Sequence, residues 1–178
     1  TGRAEKAQET HSLKSIVAII RGQSRYENLR RALDLLSMEI DLRGKSRVFI
    51  KPNMVSTSLQ LAATHRDALH ALLEFLRERY TGRIILGEGT GRPAVEGYRN
   101  FGYQDLAKQY NMELVDLSLE KEWVPVQVFD WNFRPITLRF SRLVAESDYR
   151  ISITPPKTHD AVIVTLSIKN LVMGSLYH

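Results

Sequence analysis

The chain predicts an α/β fold: a mainly parallel sheet flanked by helices in a Rossmann-like three-layer arrangement, with an inserted antiparallel hairpin. Two observations carry this. Short β-branched runs alternate with segments of helical period, at spacings that suit crossover connections between parallel strands. Three of these runs also end in polar clusters: Val48-Phe49-Ile50 before Lys51-Pro52-Asn53, Ile84-Ile85-Leu86 before Gly87-Glu88-Gly89-Thr90-Gly91, and Ile151-Ser152-Ile153 before Thr154-Pro155-Pro156-Lys157-Thr158-His159. Neighbouring parallel strands would open these clusters onto one crevice, where open α/β sheets bind their ligands.

Taken in order, Ser15 to Ile20 reads as a short buried strand closed by Arg21-Gly22. Glu27 to Ile40 reads as a helix, because Leu29, Leu33, Leu36 and Ile40 recur at helical spacing. Arg47 to Ile50 is the next strand, stopped by Pro52, which has no amide to give a ladder. A polar connection leads to a helix over Arg66 to Tyr80, with Leu69, Leu72, Leu73 and Leu76 on one face and Thr64 as N-cap. Ile84 to Leu86 is a third strand, Tyr103 to Tyr110 a helix and Glu113 to Leu117 a fourth strand. Val124 to Phe129 and Ile136 to Phe140 alternate around Asp130-Trp131-Asn132, which predicts an antiparallel hairpin beside the main sheet, covered by Trp123 and Trp131. A helical turn at Ser141 to Glu146 precedes the strand Tyr149 to Ile153. The apolar segment after His159 then reads as helical through Val172.

A chain of 178 residues with 43% hydrophobic and 25% charged residues suits one folded domain over 13–178, after a polar leader at 1–12. With no cysteine, the chain excludes disulfides, thiolate nucleophiles and an iron–sulfur cluster of its own. The absence of cysteine fits a reducing compartment, and no stretch approaches the roughly 20 apolar residues of a membrane helix, so a cytoplasmic protein without membrane contact is expected. The net charge of +5 favours anionic partners. Its arginines are dispersed and no nucleic-acid motif is present, which argues against nucleic acid.

The clusters supply the chemistry. Lys51 offers an ammonium to an anion, and Asn53 an amide that donates and accepts. Gly87, Gly89, Thr90 and Gly91 allow close backbone approach to a ligand, and Arg92 offers a bidentate clamp. The loop is neither a dinucleotide fingerprint nor a Walker motif. Glu88 offers a base or a metal ligand. His159 suits proton transfer or metal ligation, and Lys157 suits stabilising negative charge or reacting with a carbonyl. Thr158 reads either as part of this cluster or as the cap of a following helix, and Lys169-Asn170 either lines the crevice or pairs structurally with Glu88. The structural alternative for Glu88 is an ion pair with Arg92. His65 reads as a helix-start residue, with a metal site shared with His159 and Glu88 as the alternative, and Tyr98, Phe101 and Tyr103 read as core, with a lid as the alternative.

Ile50-Lys51-Pro52-Asn53, the Gly-Glu-Gly-Thr-Gly loop, Pro156-Lys157-Thr158-His159 and Ser167 to Gly174 together resemble the uncharacterised family known as domain of unknown function three-six-two. The resemblance runs from Val48 onward. It implies a longer architecture of which this chain is an N-terminal portion, and in some relatives a ferredoxin-like module that this cysteine-free chain does not carry. It implies no reaction.

The expected function is therefore an enzyme or enzyme-derived domain that binds a small carboxylate or phosphate metabolite at the strand ends. Divalent-metal chemistry through Glu88 and His159, or proton transfer, would accompany binding. The alternatives are a basic nucleic-acid-binding module and a non-catalytic partner of a redox or iron–sulfur protein. The apolar C-terminal segment suggests either a homo-oligomer or a further C-terminal portion packing on it.

Overall fold

A computed structural model describes residues 15–89, 93–159 and 161–176. The expected leader, together with Thr90, Gly91, Arg92 and Asp160, lies outside the described residues.

The elements run α1 (Arg25–Leu35), β1 (Arg47–Pro52), α2 (Arg66–Arg77), β2 (Arg83–Glu88), α3 (Ala94–Asn100), α4 (Tyr103–Gln109), β3 (Met112–Asp116), β4 (Trp123–Phe129), β5 (Pro135–Ser141), α5 (Arg142–Ala145), β6 (Tyr149–Ile153), β7 (Lys157–His159), β8 (Ile163–Thr165) and α6 (Ser167–Met173). Four strands form a parallel sheet in the order β3-β2-β1-β6. The α/β class with a parallel sheet stands as the sequence predicts.

Alternation along β1 splits the core into two layers, because successive strand residues face opposite sides. Val48 and Ile50 join Ile84, Leu86 and the leucines of α2 in the larger cluster, with α3 and α4 contributing Tyr98, Tyr103 and Leu106. Phe49 and Ile85 point the other way, onto Leu117, Val144, Phe140 and Leu171. Helices α2 to α4 therefore cover one face, while α5, α6 and the base of the hairpin cover the other. Tyr98, Phe101 and Tyr103 are core residues, as expected.

Five expectations need correction. Ser15 to Ile20 is not a buried strand: it has no sheet partner, and Ile16, Val17 and Ile19 are 58%, 76% and 88% exposed. Its β-branched residues favour extended backbone but find no neighbouring edge among the described residues. The first helix stops at Leu35, and the chain turns so that Ile40 still reaches the core. The N-cap of α2 is His65, whose Nδ1 accepts from the Asp67 amide at 3.1 Å. The Thr64 hydroxyl is engaged elsewhere, accepting from the Asn53 amide at 2.9 Å and donating to the Ile153 carbonyl at 2.6 Å. The segment after His159 is not one helix. Ile163–Thr165 pairs antiparallel with Lys157–His159, and α6 begins only at Ser167, consistent with the β-branched content of 162–165. The antiparallel hairpin β4-β5 forms as expected, as its own two-stranded sheet, but Trp131 at its tip is 90% exposed rather than covering it. Trp123, by contrast, lies beneath the Arg139 guanidinium at 4.9 Å.

Among the described residues no helix is long and apolar enough to cross a membrane.

Candidate functional site

From β1 the chain moves outward through β2 and β3, then returns to the far side of β1 as β6. The strand order reverses between β1 and β6, and a crevice opens there at the strands' C-terminal ends. Thr64 closes its floor: the Asn53 amide donates to Thr64 Oγ1 at 2.9 Å, and the same hydroxyl reaches Ile153 on β6.

Lys51 and Glu88 lie beneath the crevice. Lys51 is 0% exposed and shares Phe49's face of β1; its ammonium donates to Glu88 Oε1 and to the Pro52 carbonyl at 3.0 Å. The same carboxylate oxygen accepts from the Gly89 amide at 3.0 Å, while Oε2 makes no hydrogen bond of ordinary geometry among the described residues. Burial pushes the Glu88 carboxyl up to about 7, opposed by the Lys51 ammonium beside it. Burial also pushes the Lys51 amine down, with Glu88 opposing. Gly174, just past α6, is what permits this packing. A Cβ there would sit 2.9 Å from Lys51 Nζ and 2.6 Å from the Asn170 carbonyl oxygen. Gly87 is likewise a close-packing glycine, since a Cβ would meet the Phe49 ring at 2.8 Å.

A relay of amides links this pair to the open part of the crevice. Asn170 Nδ2 donates to the Pro52 carbonyl at 3.0 Å and lies 3.3 Å from Ser152 Oγ. Asn170 Oδ1 accepts from Asn53 Nδ2 at 3.0 Å, and Asn53 Oδ1 accepts from Lys157 Nζ. Each amide orientation follows from its neighbour's.

The third group stands on the β7-β8 ribbon, stiffened at its entry by Pro155-Pro156. Lys157 and His159 are two residues apart on β7, so their side chains share one face, while Thr158 points to the exposed side. Lys157 also donates to the Ala62 carbonyl at 3.4 Å. Burial lowers its pKa; Glu88 opposes the shift and Lys169 adds to it. Lys169 Nζ lies 3.0 Å from His159 Nε2. It therefore faces the crevice and does not pair with Glu88, whose partner is Lys51.

Asn53, Ala62, Lys157, Thr158, His159, Thr165 and Lys169, among others, line a cavity of about 340 Å³. An adjoining space of about 270 Å³ is lined by Asn53, Glu88, Gly89, Lys169 and Asn170, among others. A larger cavity of about 420 Å³ between α1 and the end of β6 is mostly apolar and gathers no lysine. The structure thus brings together Lys51, Asn53, Glu88, Gly89, Lys157, Thr158, His159, Lys169 and Asn170. Among the described residues, no three His, Asp or Glu side chains approach closely enough to hold a metal ion. Thr64, Ser152 and Gly174 complete the site from outside the expected set. Only Gly174, in the Lys-Asn-Leu-Val-Met-Gly run, carries a sequence signal for a close approach.

The model of a family described as Domain of unknown function (DUF362) matches residues 48–178. Comparison with curated proteins and comparison with solved structures each found no match.

Proposed function

This chain belongs to the DUF362 family, and on that premise we propose that it is an enzyme domain binding a small anionic metabolite, a carboxylate or phosphate, in the cavity between Asn53 and the β7-β8 ribbon. One observation carries the reading. Lys157 and Lys169 converge on this cavity and neither has an acidic partner among the described residues, while Glu88 beneath is already matched by Lys51. Lys157 spends its hydrogen bonds on two neutral carbonyl oxygens and makes no salt bridge among the described residues. Lys169 and His159 add nitrogen donors, and Asn53, held by Asn170, orients the anion. An anion about 4 Å from one ammonium gains about 4 kcal/mol at an effective dielectric near 20.

Proton transfer is the chemistry the cavity supports best. His159 stands at its wall as an imidazole suited to moving protons, and the Glu88 carboxyl, pushed up to about 7 by burial, lines the adjoining space. Metal chemistry has less support, because Glu88 and His159 lack a third ligand among the described residues. The reading also puts the protein in the cytoplasm, where such metabolites are abundant.

Titration calorimetry with a panel of carboxylated and phosphorylated metabolites tests this. Lys157→Ala should weaken the best ligand at least tenfold, and His159→Ala less. Equal binding by wild type and both variants would remove these residues from the site.

A further inference from the structure

The cavity of about 420 Å³ between α1 and the end of β6 takes no part in the anion site, yet its size falls among small-molecule pockets. It shares no lining residue with the lysine cavity: Ala63, Thr64 and Pro155 line this space, while Ala62 and Lys157 line the other. Its wall is mostly apolar, built from Leu29 and Ala32 of α1, Leu61, Ala68 of α2 and Ile153 of β6. Leu61 belongs to this wall but is 79% exposed, so the fold leaves apolar surface here that a ligand would cover.

Two helices set the charge at its mouth. Tyr26, near the start of α1, donates to Glu74 of α2, and Arg30, one turn on, reaches Glu78 at 2.6 and 2.7 Å. Contacts that advance together along both helices mean that they run in the same direction, so their N-terminal ends lie side by side. Arg25 and Asn28 from the start of α1, and His65 and Ala68 from the start of α2, line the cavity. Helix N-termini favour anions. Arg25 is exposed and has no ion-pair partner among the described residues. No acidic side chain among the described residues lines the cavity: the first-turn carboxylates, Glu27 and Asp67, are absent from its wall.

We propose that this cavity binds a medium-chain monocarboxylate, its apolar chain against Leu29, Ala32, Leu61 and Ile153 and its carboxylate held by Arg25 beside the two helix starts. The wall selects this chemistry. Aliphatic side chains offer no fixed partners for the hydroxyls of a sugar or polyol, whereas a methylene chain gains by leaving water. One guanidinium without a partner matches one carboxylate, in bidentate geometry. The site is separate from the anion-binding reading above and does not depend on it.

Calorimetry with butyrate, hexanoate, octanoate and 1-octanol tests this on the whole chain. Each added methylene should tighten binding of the acids about threefold, close to the gain from burying it. Octanoate should bind about tenfold more tightly than 1-octanol, which has the chain without the charge. Arg25→Ala, an exposed substitution, should bring octanoate down to the level of the alcohol and leave the alcohol unchanged. Ala32→Phe, which fills the cavity, should abolish binding of both, with the thermal midpoint recorded to show that the variant is folded. Lys157→Ala should leave octanoate binding as it is. Affinity that does not rise with chain length overturns the inference, as does 1-octanol binding as tightly as octanoate, or the absence of any binding. Octanoate binding lost in Lys157→Ala but kept in Arg25→Ala also overturns it, because the acid then occupies the lysine cavity. Should Ala32→Phe fail to fold, the chain-length series and Arg25→Ala decide the question by themselves.

Discussion

Lys51 on β1 and Lys157 on β7 both stand at the C-terminal end of the sheet, and Glu88 acts on the charge of each. Their surroundings differ. Lys51 is sealed under Gly174 and bonded directly to the carboxylate, so its charge is cancelled within the fold. Lys157 borders a cavity and touches only neutral oxygens, so its charge remains available. Residue type is the same at both positions; burial and the partner decide which lysine is structural and which is offered to a ligand.

The largest effect that would sharpen this contrast comes from breaking the sealed pair. Lys51→Met leaves Glu88 buried without its cation and should cost about 3–5 kcal/mol of stability. Adding Glu88→Leu should restore much of that loss, because two apolar side chains replace two desolvated charges. Chemical denaturation of wild type, single and double variants measures both. The pH dependence has a defined sign. The folded pKa of Glu88, about 7, lies above its ordinary value of 4.5. Its contribution is therefore fully present below 4.5 and is lost as pH rises through 7. Lys51→Met removes the charge that holds Glu88 down, so the loss should extend to higher pH. A double variant no more stable than the single one would show that the pair is not the isolated unit described here.

Gly174→Ala comes next. The added methyl meets the Lys51 amine and the Asn170 carbonyl oxygen at separations no real Cβ keeps, so α6 must shift. Overpacking of this kind costs about 1–3 kcal/mol. The movement also displaces Asn170, and through Asn53 it loosens Lys157. Weakened anion binding should therefore accompany the lower thermal midpoint, although the substitution lies outside the cavity that holds Lys157. Unchanged binding would show that the sealed and open regions are not mechanically linked.

Which lysine belongs to which region was not legible in the sequence, although their convergence was. The runs ending at Lys51, Glu88 and Ile153 announce strands of one sheet, since buried parallel strands read as continuous β-branched and aliphatic segments broken by proline or glycine. Nothing local separates a strand-end lysine that turns inward from one that faces a cavity. That distinction is made by Gly174, 123 positions downstream of Lys51. The β7-β8 ribbon was obscured for a related reason: residues 161–166 are apolar and short, and periodicity alone does not separate a strand from a helix over such a length. Helix α3 begins after Pro93 without a side-chain cap, so it carries no start signal of the usual kind. Ser15 to Ile20 has the composition of a strand, but pairing depends on a free edge elsewhere that no local pattern encodes.

The smallest expected effect on stability is also the one that tests the comparison most directly. Lys157→Ala removes an ammonium from a cavity wall, and water entering the cavity of about 340 Å³ can replace the hydrogen bond lost by Asn53 Oδ1. No ion pair is broken, because Lys157 makes no salt bridge among the described residues and Glu88 keeps its bond to Lys51. The unfolding free energy should therefore change by less than about 1 kcal/mol, in the range of surface substitutions and single neutral hydrogen bonds. Denaturation of this variant beside Lys51→Met gives the difference in one experiment. A cost for Lys157→Ala equal to that of Lys51→Met would mean that the ribbon lysine also holds the fold together, and the division between a sealed charge and an offered one would fail.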